Sequence, residues 1–410
     1  MMPAWLLPDH VSDMLPEESA RVERLRRQLL DLFASYGYGL IQPPLMEYAD
    51  AMNLPGAADL DARSFKLVDP LCGRLLAIRP DLTPQAARID AHLLNAAGVA
   101  RLCYAAPVLH AQPTGLLASR EPIQVGCELY GHEGLEADLE IQELVLASLR
   151  AAGVDEVHLD LTDRGIFLAL KEADPGLAGV ESQVLAALQA KESGYFDTVA
   201  GITPQTRAAL TALVGLYGPA KGPTGVIARA RAIFAEKRPG AQAIHQALDR
   251  LEAVAESALF AQHPKCRLTV DLADLQGWQY HNGIMFSAYC SGLPDALVRG
   301  GRYDGVGAVF GRARAATGFS LELRALASVA GARGAEEDRA RHCIAADWLF
   351  REDEGCRQRV ADLRRAGQSV AFFPSAQWAA YEGPRLTREA GTWKVTWPAH
   401  LPHAEKAGQS

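Results

Sequence analysis

A chain of 410 residues that is 49% hydrophobic and 22% charged is long enough for one large core and a second small one, with ordinary soluble globular composition. Its net charge of −8, with no visible run of Lys or Arg, argues against a surface that grips duplex DNA or tRNA, because neutralising phosphates requires clustered cations. Seven cysteines, an odd number scattered without a C-x-x-C pair, fit a reducing compartment and argue against a zinc site. No apolar stretch approaches membrane-spanning length. Met1–His10 lacks the basic start and long apolar centre of a signal peptide, so a cytoplasmic location is expected.

Pro16-Glu17-Glu18 opens a helix with proline and acids in its first turn, and Val22, Leu25, Leu29, Leu30, Leu32 and Phe33 give it an apolar stripe to about Tyr36. Leu40–Leu45 reads as an extended segment. Pro43 and Pro44 cannot donate to a ladder, which places it at a sheet edge or subunit boundary. Ser64–Asp69 and Arg74–Ile78 read as an antiparallel hairpin. Two further strands, around Arg101–Ala105 and Pro122–Tyr130, are expected to extend that sheet.

In the second of these, Gln124, Gly126 and Glu128 share one face while Ile123, Val125, Cys127 and Leu129 share the other. A solvated sheet face and the floor of a small polar pocket are level readings of that pattern. A helix follows at Ala137–Ala152 and a strand at Glu156–Leu161. From Arg164 to Leu259 the pattern is helical, with five or six helices expected to interrupt the sheet without joining it. Strands return at Arg267–Asp271, Ile284–Tyr289 and Ala296–Arg299, and Asn282-Gly283 reads as a hairpin turn. Gly300–Gly305 lacks the Lys-Ser/Thr of a phosphate loop and reads as a tight turn. No metal ligands are suitably spaced around His110 or His281, and no cofactor is expected.

Three segments carry a resemblance. Arg79–Thr83 (Arg-Pro-Asp-Leu-Thr), Gln124–Glu128 (Gln-Val-Gly-Cys-Glu) and Arg299–Asp304 (Arg-Gly-Gly-Arg-Tyr-Asp) are similar, in order, to signature segments of histidyl-tRNA synthetase, over roughly residues 8–330. The resemblance implies an α+β fold of the class II aminoacyl-tRNA synthetase type. Its parts are a mixed, mainly antiparallel sheet flanked by helices in residues 1–330 and a helical insertion at about 164–262. A linker at 331–340 and a short C-terminal α/β remnant and tail at 341–410 follow. It also implies a homodimer through the first-motif helix and the strand ending at Pro44.

The same resemblance separates what is kept from what is lost. Adenylate formation needs cations against the α-phosphate. The two synthetase-motif arginine positions hold His110 and Ala325, and the histidine-specific one holds Gln276. A motif glutamate is Gln112, and a glycine on the nucleotide side is Glu322. The amino-acid side keeps its chemistry: Asp81, Thr83, Gln124, Glu128, Tyr280 and Tyr303 match residues that hold histidine.

A synthetase body without adenylation arginines resembles the regulatory subunits of ATP phosphoribosyltransferase. That resemblance implies a non-catalytic chain in the first step of histidine biosynthesis. Its implied partner is a short-form catalytic subunit, in a hetero-octamer, and its implied ligand is free histidine as feedback inhibitor. A divergent histidyl-tRNA synthetase and a synthetase-like regulatory binding module are the alternatives. Neither nucleic acid nor membrane is an expected partner.

Overall fold

The computed structural model describes residues 5–52, 58–115, 118–235, 240–275, 281–330 and 343–398. The chain divides into two units, 1–330 and 331–410.

The larger unit is built on a nine-stranded sheet. From edge to edge its strands are Gly39–Leu40, Ala100–Pro107, Ile123–Tyr130, Ala316–Glu322, Val298–Arg302, Ile284–Tyr289, Val157–Asp163, Cys266–Asp271 and Tyr217–Pro219. The pairs of Gly39–Leu40 with Ala100–Pro107 and of Val157–Asp163 with Cys266–Asp271 are parallel, and the other six are antiparallel. Alternation along the strands separates two faces. Val125, Cys127, Leu129, Phe319 and Leu321 share a core with Val22, Leu25, Leu29 and Phe33 of the helix Pro16–Ser35 and with Ile141, Leu144 and Val145 of the helix Leu135–Ala151. Phe33 meets Phe319 edge-on at 6.0 Å. Leu29 and Phe33 have no exposed surface, so truncating either to alanine costs about 2–5 kcal/mol. The opposite face carries Gln124, Glu128, Gly318 and Glu322 and is free for polar chemistry.

Three expectations need correction. The hairpin Phe65–Val68 and Leu75–Ile78 forms, but it does not extend the main sheet. Met46–Tyr48 pairs with the inner strand instead and closes a separate three-stranded sheet. Pro80 then interrupts the ladder and turns the chain into the helix Thr83–Arg88. The helical insertion does join the main sheet: Tyr217–Pro219 leaves it to pair with Cys266–Asp271 at the sheet's edge. The edge position expected of the proline-containing segment holds: Gly39–Leu40 is the sheet's edge strand, and Ile41 donates to the Cys103 carbonyl just beyond it. Asn282-Gly283 is no hairpin turn, because the strands before and after it do not pair with each other. Asn282 donates its N–H to the Arg302 carbonyl, and Arg164 donates to that of Gly283.

The smaller unit is a four-stranded sheet ordered Val370–Phe373, Ile344–Asp347, Arg385–Glu389, Thr392–Thr396. Its own core joins Ile344, Cys356, Val360, Leu386 and Trp393. The strand Arg385–Glu389 has one buried apolar residue, Leu386, which is why no strand is read there from the sequence. The expected linker lies among residues outside the described ones.

Candidate functional site

The polar face of the main sheet floors a cleft of about 910 Å3, with Arg63, Asp81, His110, Gln124, Arg299 and Glu322 among its lining residues. Its architecture starts at Arg79. That guanidinium donates to the carbonyls of Pro43 (2.7 Å) and Pro107 (3.0 Å), tying three loops together where prolines offer acceptors but no donors. Asp81 follows two residues later and opens the helix Thr83–Arg88. Its Oδ1 accepts from the Thr83 N–H at 2.7 Å and from the Gln124 amide at 3.1 Å, while Gln124 Oε1 accepts from the Leu82 N–H at 2.9 Å. Asp81 Oδ2 is buried without a partner. Burial raises the Asp81 carboxyl above its ordinary range, against the opposing pull of the Thr83 N–H, the Gln124 amide and the Arg63 charge.

Glu128 lies deeper, behind the cleft wall, and is 1% exposed. Tyr104 donates to its Oε1 at 2.9 Å, and Tyr303 donates to its Oε2. Thr83 Oγ1 stands 3.2 Å from the Tyr104 hydroxyl, and the Tyr130 hydroxyl 3.3 Å from that of Tyr303. Burial pushes the Glu128 carboxyl up to about 8, although the two tyrosine hydrogen bonds pull the other way. Two glycines make the room. A Cβ on Gly126 would meet the Tyr104 hydroxyl at 2.6 Å, and one on Gly318 would run into the Glu128 carboxylate. Tyr303 is set by its N–H donating to the Ala316 carbonyl at 2.8 Å, and its ring meets His281 and Tyr130 edge-on.

Five of the six residues matched to a histidine site, Asp81, Thr83, Gln124, Glu128 and Tyr303, therefore belong to one hydrogen-bonded network. Only Asp81 and Gln124 of them line the cleft. Tyr280, the sixth, lies outside the described residues, as does Gln276. Sequence reasoning missed Tyr104, Tyr130 and Arg63. Tyr104 had a signal: it stands opposite Gly126 in the ladder, and a lone glycine in a strand marks a close approach.

The neighbouring wall is closed by the chain itself. Glu322 folds over the start of the helix Leu323–Val329, where Oε1 accepts from the Arg324 N–H at 3.0 Å and the Ile123 N–H at 3.2 Å, and Oε2 accepts from the Ala325 N–H. Arg324, beside Ala325, is drawn off to Glu18 at 2.9 Å and to Ser12. His110 is 5% exposed, and its Nε2 stands 3.0 Å from both Arg63 Nη2 and the Pro80 carbonyl. Burial, followed by the Arg63 charge, lowers its pKa to about 4 and keeps the ring neutral. One nitrogen cannot accept from Arg63 and donate to Pro80 at once, and in either tautomer the buried Nδ1 lacks a partner. Gln112 is exposed.

Among the described residues no three His, Cys, Asp or Glu side chains gather as a metal site, and no helix is long and apolar enough to cross a membrane.

Known proteins share this framework. The histidyl-tRNA synthetase family model matches residues 10–326. A protein of Paraburkholderia phytofirmans named ATP phosphoribosyltransferase regulatory subunit is 49% identical over 370 residues, 90% of this chain and 91% of that one. Another of the same name from Ralstonia pickettii is 47% identical over 397 residues, 95% and 97% of the two chains. The crystal structure of an ATP phosphoribosyltransferase regulatory subunit/histidyl-tRNA synthetase from Bacillus halodurans superposes with a TM-score of 0.75 at 25% identity, covering 92% of this chain and 94% of that one. The fold is thus of the class II synthetase type, and the chain belongs to the family of ATP phosphoribosyltransferase regulatory subunits.

Proposed function

We propose that the chain is a non-catalytic regulatory subunit acting in the first step of L-histidine biosynthesis. It assembles with a short-form ATP phosphoribosyltransferase catalytic subunit in a hetero-octamer, is required for that subunit's activity, and contributes to feedback inhibition by binding free histidine. The observation that carries this reading is the contrast between the Asp81 side of the cleft, with Glu128 behind it, and the adjoining wall. The Asp81–Gln124 pair and the Glu128 cluster offer carboxylates and an amide suited to an ammonium and an imidazole. The adjoining wall holds His110, Ala325 and the helix-capping Glu322 where adenylation would need cations and open backbone.

The minimal unit in this reading is a homodimer. The helix Pro16–Ser35 spends its apolar stripe inside its own chain. The exposed apolar surface lies nearby in sequence, on Leu45, Met46 and Tyr48 and on the hairpin residues Leu67, Val68 and Leu71. That patch, more than the helix, is suited to meet a second copy. Light scattering is expected to give twice the monomer mass, and a concentration-independent monomer would contradict it.

The functional test is reconstitution. Adding the chain to a short-form catalytic subunit should raise ATP phosphoribosyltransferase activity and make it histidine-sensitive. The isolated chain should give no histidine-dependent pyrophosphate exchange. A catalytic subunit indifferent to the addition, or exchange by the chain alone, would overturn the reading.

A further inference from the structure

Histidine carries its carboxylate on the same carbon as its ammonium, so a cation reading one must stand beside the group that holds the other. The positions that would hold arginines in a synthetase are His110, Ala325 and Gln276, so none of these three supplies a cation for that carboxylate. Three arginines line the cleft. Arg324 is committed to Glu18 and Ser12, away from Asp81. Arg299 donates to Ser287 at 3.1 Å, on the strand beyond its own. Arg63, at the end of the helix Ala58–Arg63, stands where the geometry requires. Its Nη2 is 3.0 Å from His110 Nε2, and the same nitrogen of His110 faces the carbonyl of Pro80, the residue before Asp81. His110 thus fixes Arg63 beside the Asp81 loop and adds its own partnerless Nδ1 to that wall.

We propose that Arg63, steadied by His110, binds the α-carboxylate of the free amino acid in this cleft, so that the site distinguishes intact histidine from analogues lacking the carboxylate. The proposal rests on the histidine-binding reading above and adds to it a specificity residue. A planar guanidinium suits the task, since it can meet a carboxylate with two parallel N–H groups.

Calorimetry on the full chain with L-histidine and with histamine, which lacks the carboxylate, tests it. The wild type is expected to prefer histidine by about tenfold or more, the usual worth of a hydrogen bond to a charged group. Arg63→Gln should weaken histidine by about that factor while leaving histamine within about twofold, so the preference collapses. Arg299→Gln should keep it. An Arg63→Gln chain that retains the wild-type preference, or that weakens both ligands equally, overturns the proposal, as does loss of the preference in Arg299→Gln instead. If Arg63→Gln does not fold, Arg63→Lys carries the test: loss of the planar fork must shrink the preference, and an unchanged one overturns the assignment. A wild type that binds neither ligand would instead sink the histidine-binding reading itself, which separates the two failures.

Discussion

Asp81 and Gln124 line one side of the cleft, with Glu128 behind them in the same hydrogen-bonded network, whereas on the other side His110 and Glu322 are engaged by the chain's own groups. The first side is costly to keep. Two carboxyl groups are each 1% exposed there, and burial raises the pKa of both. The second side is inexpensive to lose. One glutamate in place of glycine caps a helix, and one arginine pairs with Glu18. The difference is between carboxyl groups whose pKa burial raises, at Asp81 and Glu128, and a glutamate, Glu322, whose oxygens are taken up by backbone N–H groups; on the proposed reading the first side is the one that meets a ligand.

The sharpest way to break this contrast is Glu128→Ala. It removes the acceptor of two buried tyrosine hydroxyls and, on the proposed histidine-binding reading, the group that meets the imidazole. Truncating such a partner typically costs about 2–5 kcal/mol, so histidine affinity should fall about 30-fold or more by calorimetry. The complex with the catalytic subunit should still assemble but resist feedback inhibition. Normal histidine binding by this variant would move the sensor elsewhere.

Titration sharpens the same point. The Glu128 carboxyl titrates at about 8 in the folded chain against the ordinary 4.5, so between those values the folded chain keeps a proton that the unfolded chain has lost. The linked stability is full below 4.5 and is lost as pH rises toward 8. Ligand-free protein should therefore melt at a lower temperature near pH 8 than near pH 5, and Glu128→Gln should flatten that slope. Identical slopes in the two proteins would assign the effect to other groups.

The retired side is tested by Glu322→Gly, which restores the glycine without restoring an arginine. Loss of the side-chain cap on Leu323–Val329 should cost about 0.5 kcal/mol by denaturant unfolding, glycine being itself a tolerated cap, and gain no nucleotide binding. A stabilised variant would show that the glutamate serves something other than the helix.

How much of this the sequence discloses depends on the range of the interaction. The period-2 pattern from Ile123 to Tyr130 puts Glu128 and Gln124 on one face without any coordinates, and the stripe Val22–Phe33 makes its helix legible, because both signals are local. The residues that complete the Glu128 cluster are brought in by register across strands. Tyr104 faces Gly126 from the neighbouring strand, and Tyr303 arrives from 175 residues away. The short strand Tyr217–Pro219 contains a glycine and a proline and forms only because Cys266–Asp271 leaves an edge to pair with. Arg63 carries no motif at all. Its place beside His110 follows from the separate three-stranded sheet, which the sequence pattern does not distinguish from the main one.

The central claim is that this cleft keeps an amino-acid site and has lost its nucleotide site. The most direct measurement is calorimetry of the full chain with L-histidine and with Mg-ATP, each alone and then each in the presence of the other. The account predicts one histidine bound per chain, no binding of Mg-ATP, and a histidine affinity unchanged by saturating nucleotide. Nucleotide binding that tightens histidine, or Mg-ATP binding with no histidine binding, would contradict it.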